Sequence, residues 1–164
     1  MERCPEFHFT PKEIAEDLIK DITFSEDDIT LEPCKASGNF YDLIPFEKDW
    51  CEIDEGRDFF TYNFGDKLFT KVITNPPYKS NHLHNKKNIC MDFIFRCLQV
   101  CSGEVWLLLN SKMLNSLTPI RLGKMEEMGF SMTFLRVLNI KQWYGRYYWV
   151  CFAKHGKSII KYTK

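Results

Sequence analysis

The stretch Lys71-Val72-Ile73-Thr74-Asn75-Pro76-Pro77-Tyr78 constrains this chain more than any other. A β-branched apolar run that stops at two prolines reads as a buried strand followed by a rigid loop. Pro76 biases Asn75 away from the helical region, and Pro77 keeps the backbone extended. An asparagine side chain and two backbone carbonyls are therefore held at the carboxyl end of a strand, beside the Tyr78 ring. That set suits an amino group on a flat ring: the oxygens accept its N–H hydrogens and the aromatic side chain stacks on its face. A plain diproline loop with a structural tyrosine is the competing reading of these four residues alone.

The rest of the chain alternates strands with helices. Thr10-Pro11-Lys12-Glu13 reads as a capped helix start, with Thr10 as cap and Glu13 completing the box, and an apolar face runs to about Ile22. Strands are expected at Ile29–Leu31, Trp50–Ile53, Leu68–Thr74 and Val105–Leu109. Helices are expected at Phe40–Leu43, Asn88–Cys101 and Pro119–Met128, with Cys97 and Cys101 on one helical face. Ser131–Ile140 and Tyr147–Ala153 read as a closing hairpin around Lys141–Arg146. Strands that read as solid apolar runs between helices predict an α/β fold: a Rossmann-like, mostly parallel sheet with helices on both faces and an antiparallel closing hairpin. Residues 1–164 are expected to form one domain.

Three polar clusters fall at the carboxyl ends of successive predicted strands, where such sheets bind ligands. In the first, Glu32-Pro33 leads into a small-residue turn with Gly38. Glu32 places a carboxylate where an ammonium group could be held, and the lysine and hydroxyl pattern of a phosphate-binding loop is missing. In the second, Glu52 stands ready for a pair of ribose hydroxyls with Ile53 beside it for an adenine face. Within the same cluster, which runs from Glu52 to Phe60, Asp58 and Phe59 offer a carboxylate for an adenine amino group and a ring for its edge. Taken singly, each has an ordinary alternative: a structural turn, a solvated acid, a core phenylalanine. The third cluster is the Asn75–Tyr78 loop, which ends the next strand along.

Composition narrows the partners. Lys plus Arg and Asp plus Glu number 22 each, so any polyanion must be met by a local patch. The most basic stretch, Lys79 to Asn88, directly follows the diproline loop. Seven cysteines without a CxxC pair argue against a zinc site or a disulfide framework, and His82 with His84 lacks a carboxylate partner, so no metal is expected. The amino terminus has no signal-peptide pattern and no apolar run approaches membrane-spanning length, so no membrane partner is expected. Reduced thiols fit an intracellular protein, cytoplasmic or, in a host with a nucleus, nuclear.

From Phe7 to about Ala153 the chain resembles the class I S-adenosylmethionine-dependent amino-methyltransferases, in particular the adenine-specific (N6) DNA enzymes. Phe9-Thr10-Pro11 with Ile14-Ala15, Leu31-Glu32-Pro33 with Gly38, Glu52, Asp58-Phe59 and Asn75-Pro76-Pro77-Tyr78 follow that family's order. The resemblance implies S-adenosylmethionine held by Thr10, Glu32, Pro33, Gly38, Glu52, Ile53, Asp58, Phe59 and Asn75. It implies methyl transfer to the exocyclic amine of adenine at Asn75, Pro76, Pro77 and Tyr78, on DNA in preference to RNA. Tyr78 would stack on the base, Trp143 and Tyr144 would supply a second ring, and Lys79, Lys86 and Lys87 would meet phosphates. Two departures stand out. Ala36 occupies the place of a usual second glycine, and no separate target-recognition domain is expected, so recognition would come from short loops or a partner subunit. Two other readings remain open at this point: a protein glutamine N5-methyltransferase, and an inactive methyltransferase-like subunit that binds nucleic acid or supports a partner.

Overall fold

The computed structural model describes residues 9–79 and 87–163. Strands β1 (Ile29–Glu32), β2 (Glu47–Trp50), β3 (Phe69–Thr74), β4 (Cys101–Asn110), β5 (Phe130–Asn139) and β6 (Arg146–Lys154) form one sheet in the order β2-β1-β3-β4-β6-β5. The β2–β1, β1–β3 and β3–β4 pairs are parallel, whereas β6 runs antiparallel to both β4 and β5. Helices α1 (Lys12–Leu18), α2 (Ile89–Gln99), α3 (Ser111–Asn115) and α4 (Pro119–Glu127) complete the described elements, with short 3₁₀ turns between them.

The sheet is apolar on both faces because both are covered. On one face Val72, Val105, Leu107 and Val150 pack with Phe93, Ile94 and Cys97 of α2, Met113 of α3 and Leu122 and Met125 of α4. On the other, Ile73, Trp106, Leu108 and Trp149 meet Ala15 and Leu18 of α1 and Phe40, whose ring stacks on Trp149 at 5.5 Å and 7°. The central strands approach closely at Gly103, where an added Cβ would lie 2.2 Å from the Thr70 carbonyl oxygen. Only glycine allows that backbone contact beside the register shift between Phe69 and Lys71.

Several expected boundaries move. β2 is Glu47–Trp50 rather than Trp50–Ile53; Ile53–Glu55 instead forms a 3₁₀ turn, capped by Glu52, whose carboxylate accepts from the Asp54 N–H at 3.3 Å. Helix α2 stops at Gln99, so Cys101 opens β4 and does not share a helical face with Cys97. Thr10 is not a cap: α1 begins at Lys12, and the Ile14 and Ala15 N–H groups donate to the Pro11 carbonyl at 3.1 and 3.0 Å. Thr10 is buried, and its own carbonyl accepts from Asn39 Nδ2 at 2.8 Å. Helix α3 is an element that the hydrophobic pattern does not announce; Asn110 caps it, accepting from the Met113 N–H at 2.9 Å.

Chain direction reverses its path across the sheet at β1. From β1 the chain moves outward to β2 and then returns past it to β3, so β1 and β3 flank the switch in strand order. A crevice outside their carboxyl ends is where an α/β sheet of this kind accepts a ligand. The β5–β6 turn lies on the same edge, because Tyr147 pairs with Asn110 at the carboxyl end of β4.

Candidate active site

Glu32, the last residue of β1, is 2% exposed, and its Oε2 has no hydrogen-bond partner among the described residues. Burial pushes its carboxyl well above the ordinary glutamate range; the Tyr41 N–H counteracts this, while Asp42 and Glu52 push the same way as burial. A buried acceptor left half-satisfied at a strand tip fits a cationic donor from a ligand. The turn after it is built for close backbone approach. Ala36 and Gly38 both lie in the left-handed region, at φ 49° and 83°. Alanine therefore takes the conformation that a glycine would adopt without steric cost. Pro33 is buried under the turn.

Glu52 holds this turn in place. Its Oε2 accepts from the Ala36 N–H at 2.6 Å, and its Oε1 accepts from Asp54. Those bonds fix the carboxylate between the β1 and β2 loops and leave lone pairs for further donors. Ile53 follows, half-buried. Asp58 turns the next loop, accepting from the Phe60 N–H at 3.0 Å.

Phe59 requires a correction. It is 3% exposed, with its ring 4.7 Å from Phe93 and packed against Phe64, so it is a core ring and offers no face to an adenine. Arg96 locks it there by donating to the Phe59 carbonyl at 2.5 Å. The aromatic that keeps exposed surface beside Asp58 is Phe60.

On the other side of the crevice, β3 runs into Asn75, half-buried, then a buried Pro76 and a half-buried Pro77. The Tyr78 hydroxyl lies 2.8 Å from Asn75 Oδ1 and 2.5 Å from the Leu108 carbonyl. Its ring packs against the core, and burial raises its phenol well above the ordinary range, so the hydroxyl keeps its hydrogen. Lys79 and Lys87 are exposed at the two margins of this loop, while Lys86 lies outside the described residues. At the β5–β6 turn the two predicted rings separate. Trp143 packs at 4.9 Å on Tyr147 against the core, whereas Tyr144 is fully exposed at 101%.

Glu32 ends β1 with Pro33 and Gly38 after it, Glu52, Ile53 and Asp58 follow β2, Asn75 to Tyr78 follow β3, Thr10 joins the first group through Asn39, and Tyr144 stands in the β5–β6 turn. Sequence reading missed the backbone partners: the Tyr41 and Ala36 N–H groups and the Leu108 carbonyl. Only Asn39, next to Gly38, carried a signal, as a turn residue. Among the described residues no group of three His, Cys, Asp or Glu side chains could hold a metal ion. Burial pushes the thiols of Cys51, Cys90, Cys101 and Cys151 up to about 12, so none is a ready thiolate. No helix among the described residues is long and apolar enough to cross a membrane.

Several solved structures that superpose on this chain are methyltransferases. A Listeria monocytogenes protein provisionally assigned as a class I S-adenosylmethionine-dependent methyltransferase superposes with a TM-score of 0.70 at 13% identity, over 99% of this chain and 65% of that one. The chain thus spans about two thirds of that protein's length. The magnesium protoporphyrin IX methyltransferase of Synechocystis PCC 6803 with bound S-adenosylmethionine gives 0.55 at 9% identity, over 87% of this chain and 76% of that one. The M protein of the type I restriction enzyme EcoKI gives 0.56 at 13% identity, over 92% of this chain and 44% of that one. Neither a protein-family model nor a curated protein sequence matches the chain. The fold is that of the Rossmann-like class I methyltransferases.

Proposed function

We propose that this protein transfers a methyl group from S-adenosylmethionine to the exocyclic amino group of adenine in nucleic acid, DNA in preference to RNA. The observation that carries the reading is the Asn75-Pro76-Pro77-Tyr78 loop on the tip of β3, across the switch point from the buried, half-satisfied Glu32 on β1.

The residues present fit the cofactor. Glu32 offers its orphaned oxygen to an ammonium group, Gly38 and Ala36 let the turn lie close, Glu52 faces vicinal hydroxyls and Asp58 an amino group. When bound, S-adenosylmethionine supplies an electrophilic methyl on a sulfonium sulfur. The chain's own residues do the rest by alignment. Asn75 and the Pro76 carbonyl accept the two N–H hydrogens of the target amine. This turns the nitrogen lone pair out of the ring plane. The amine hydrogen becomes acidic only as the new bond forms, so oriented acceptors suffice and no strong base is needed. Tyr78 supports one face of the base, and the exposed Tyr144 is placed to meet it from the hairpin. A base cannot be reached inside a duplex, so it must be extruded or already single-stranded.

The test is incubation of the full chain with methyl-labelled cofactor and separate DNA, RNA and protein pools. Label in adenine of nucleic acid is the expected result. Label on a glutamine amide selects the protein N5-methyltransferase reading. Failure to bind cofactor by calorimetry selects the inactive subunit.

A further inference from the structure

The 22 basic and 22 acidic residues of this chain are not evenly mixed along it. After Glu104 come ten of the lysines and arginines but only two carboxylates, Glu126 and Glu127. The chain is therefore eight charges positive beyond Glu104 and eight negative up to it. Across the sheet the two parts lie on opposite sides of β4, with β3, β1 and β2 on one side and β6 and β5 on the other. A net charge of zero thus conceals an acidic part, which carries Glu32, Glu52 and Asp58, and a basic part.

Some of the basic part is already engaged. Arg136 pairs with Asp17 and Asp21, Lys154 donates to the Met128 carbonyl at 2.7 Å, and Arg121 donates to the Ser116 carbonyl at 2.7 Å. Lys112, Lys141 and Arg146 are exposed, and none of them makes an ion pair among the described residues. The Ser111 hydroxyl donates to the Arg146 carbonyl at 3.2 Å, which joins α3, and with it Lys112, to the start of β6; Lys141 opens the turn that leads there. That turn is anchored. The Trp143 N–H donates to the Ile140 carbonyl at 2.9 Å, and Gln142 Nε2 donates to Glu13 Oε1 at 2.7 Å, which occupies the carboxylate nearest the turn among the described contacts. Tyr144 stands beside these anchors at 101% exposure and packs on nothing. A held turn that offers cations and a bare ring together suits a polymer with phosphates and flat bases.

We propose that α3 and the β5–β6 turn are the track for single-stranded nucleic acid: Lys112, Lys141 and Arg146 meet backbone phosphates, and the Tyr144 ring stacks on a base between them. This deepens the proposed nucleic-acid methylation and rests on it. The Asn75–Tyr78 loop ends on the same edge of the sheet, so the strand passes from Lys79 and Lys87 across that loop and onto the turn. The basic part of the molecule holds the strand, and the acidic part is left to the cofactor. Phosphate contacts and stacking carry little sequence information, so strands of any composition bind here.

Binding of a fluorescein-labelled oligothymidylate to the full chain, followed by anisotropy across a salt series, tests the track. The probe has no adenine, so the result does not depend on methyl transfer. Replacing Lys112, Lys141 and Arg146 together with alanine should reduce the slope of log affinity against log salt by about 2, three single-strand contacts at about 0.7 each. Tyr144→Ala should weaken binding by about 5- to 150-fold and leave the slope alone. Lys157→Ala with Lys161→Ala removes exposed cations of the same basic part beyond the far end of β6, and should change neither quantity. An unaltered slope in the triple variant, native affinity in Tyr144→Ala, or an equal loss in the Lys157 and Lys161 control would each overturn the track. So would salt-sensitive self-association relieved by the triple variant without retention of the oligonucleotide, which assigns the surface to the acidic part of a second copy. If the binding pattern holds while adenine-containing strands gain no methyl group, the track stands and the catalytic reading fails.

Discussion

Replacing Glu32 with glutamine should make the protein more stable and a worse cofactor binder at once. Glu32 is 2% exposed and carries one carboxylate oxygen without a partner, with the Tyr41 N–H bonding the carboxylate. Glutamine keeps the shape and the Tyr41 bond, and puts a neutral amide beside Asp42 and Glu52 in place of a charge they repel. A buried acceptor left unsatisfied costs about 1–3 kcal/mol, and a charged one sits at the upper end. At about 2–4 °C per kcal/mol for a chain of this size, Glu32→Gln should raise Tm by roughly 2–12 °C at pH 8. The gain must depend on pH. The folded state raises the Glu32 pKa, so the native protein holds this proton more tightly than the unfolded chain. Stability is therefore highest below the ordinary glutamate value and falls as pH climbs from there toward the raised value. Glutamine has no such loss, so the two proteins should converge near pH 4 and separate as pH rises. Cofactor binding should move the other way: losing a charge-assisted contact to an ammonium group costs about 1.5–3 kcal/mol, or roughly 10- to 150-fold in Kd. Thermal unfolding from pH 4 to 8, with and without S-adenosylmethionine, reads all three effects. A variant no more stable than wild type at pH 8, or a difference constant with pH, would refute the reasoning.

Asp58→Ala should weaken cofactor binding by about 1–3 kcal/mol if its carboxylate meets the adenine amino group, and calorimetry showing unchanged affinity would remove it from the site. Lys79→Ala with Lys87→Ala should reduce the slope of log affinity against log salt for single-stranded DNA by about 1.4, two phosphate contacts' worth, and leave cofactor affinity alone. An unaltered slope would make these lysines bystanders. Gly103→Ala should lower Tm by roughly 2–12 °C, since a Cβ at 2.2 Å from the Thr70 carbonyl forces β3 and β4 apart. A variant with native Tm would mean that the strands separate freely at that point.

What the sequence made legible follows the strength of the local signal. β3 and its diproline loop were readable because a buried parallel strand is a solid apolar run and proline ends it unambiguously. β2 was displaced because the strand itself is Glu47-Lys48-Asp49-Trp50, an edge strand paired only with β1 and without apolar alternation, while the more hydrophobic Cys51 and Ile53 follow it. Phe59 and Phe60 are neighbours of the same type, and only the packing on Phe93 and Arg96 decides which ring turns inward. Trp143 and Tyr144 divide for the same reason, one onto Tyr147 and one into solvent. The carboxylates of Glu32, at the tip of β1, and Glu52, two residues past β2, were visible as residue types. Their partners were not, because backbone N–H groups carry no residue signature. Nor could the left-handed turn at Ala36 be read from an alanine, which ordinarily avoids it.

The most direct test of the central claim is mass-spectrometric identification of the methylated product from single-stranded DNA, with wild-type protein beside Asn75→Ala. The account predicts N6-methyladenine from the wild type and a loss of about 10²–10³ in rate for the variant, with cofactor affinity and Tm nearly unchanged. N6-methyladenine formed equally fast by Asn75→Ala, or methyl groups found on anything other than an adenine amine, would contradict it.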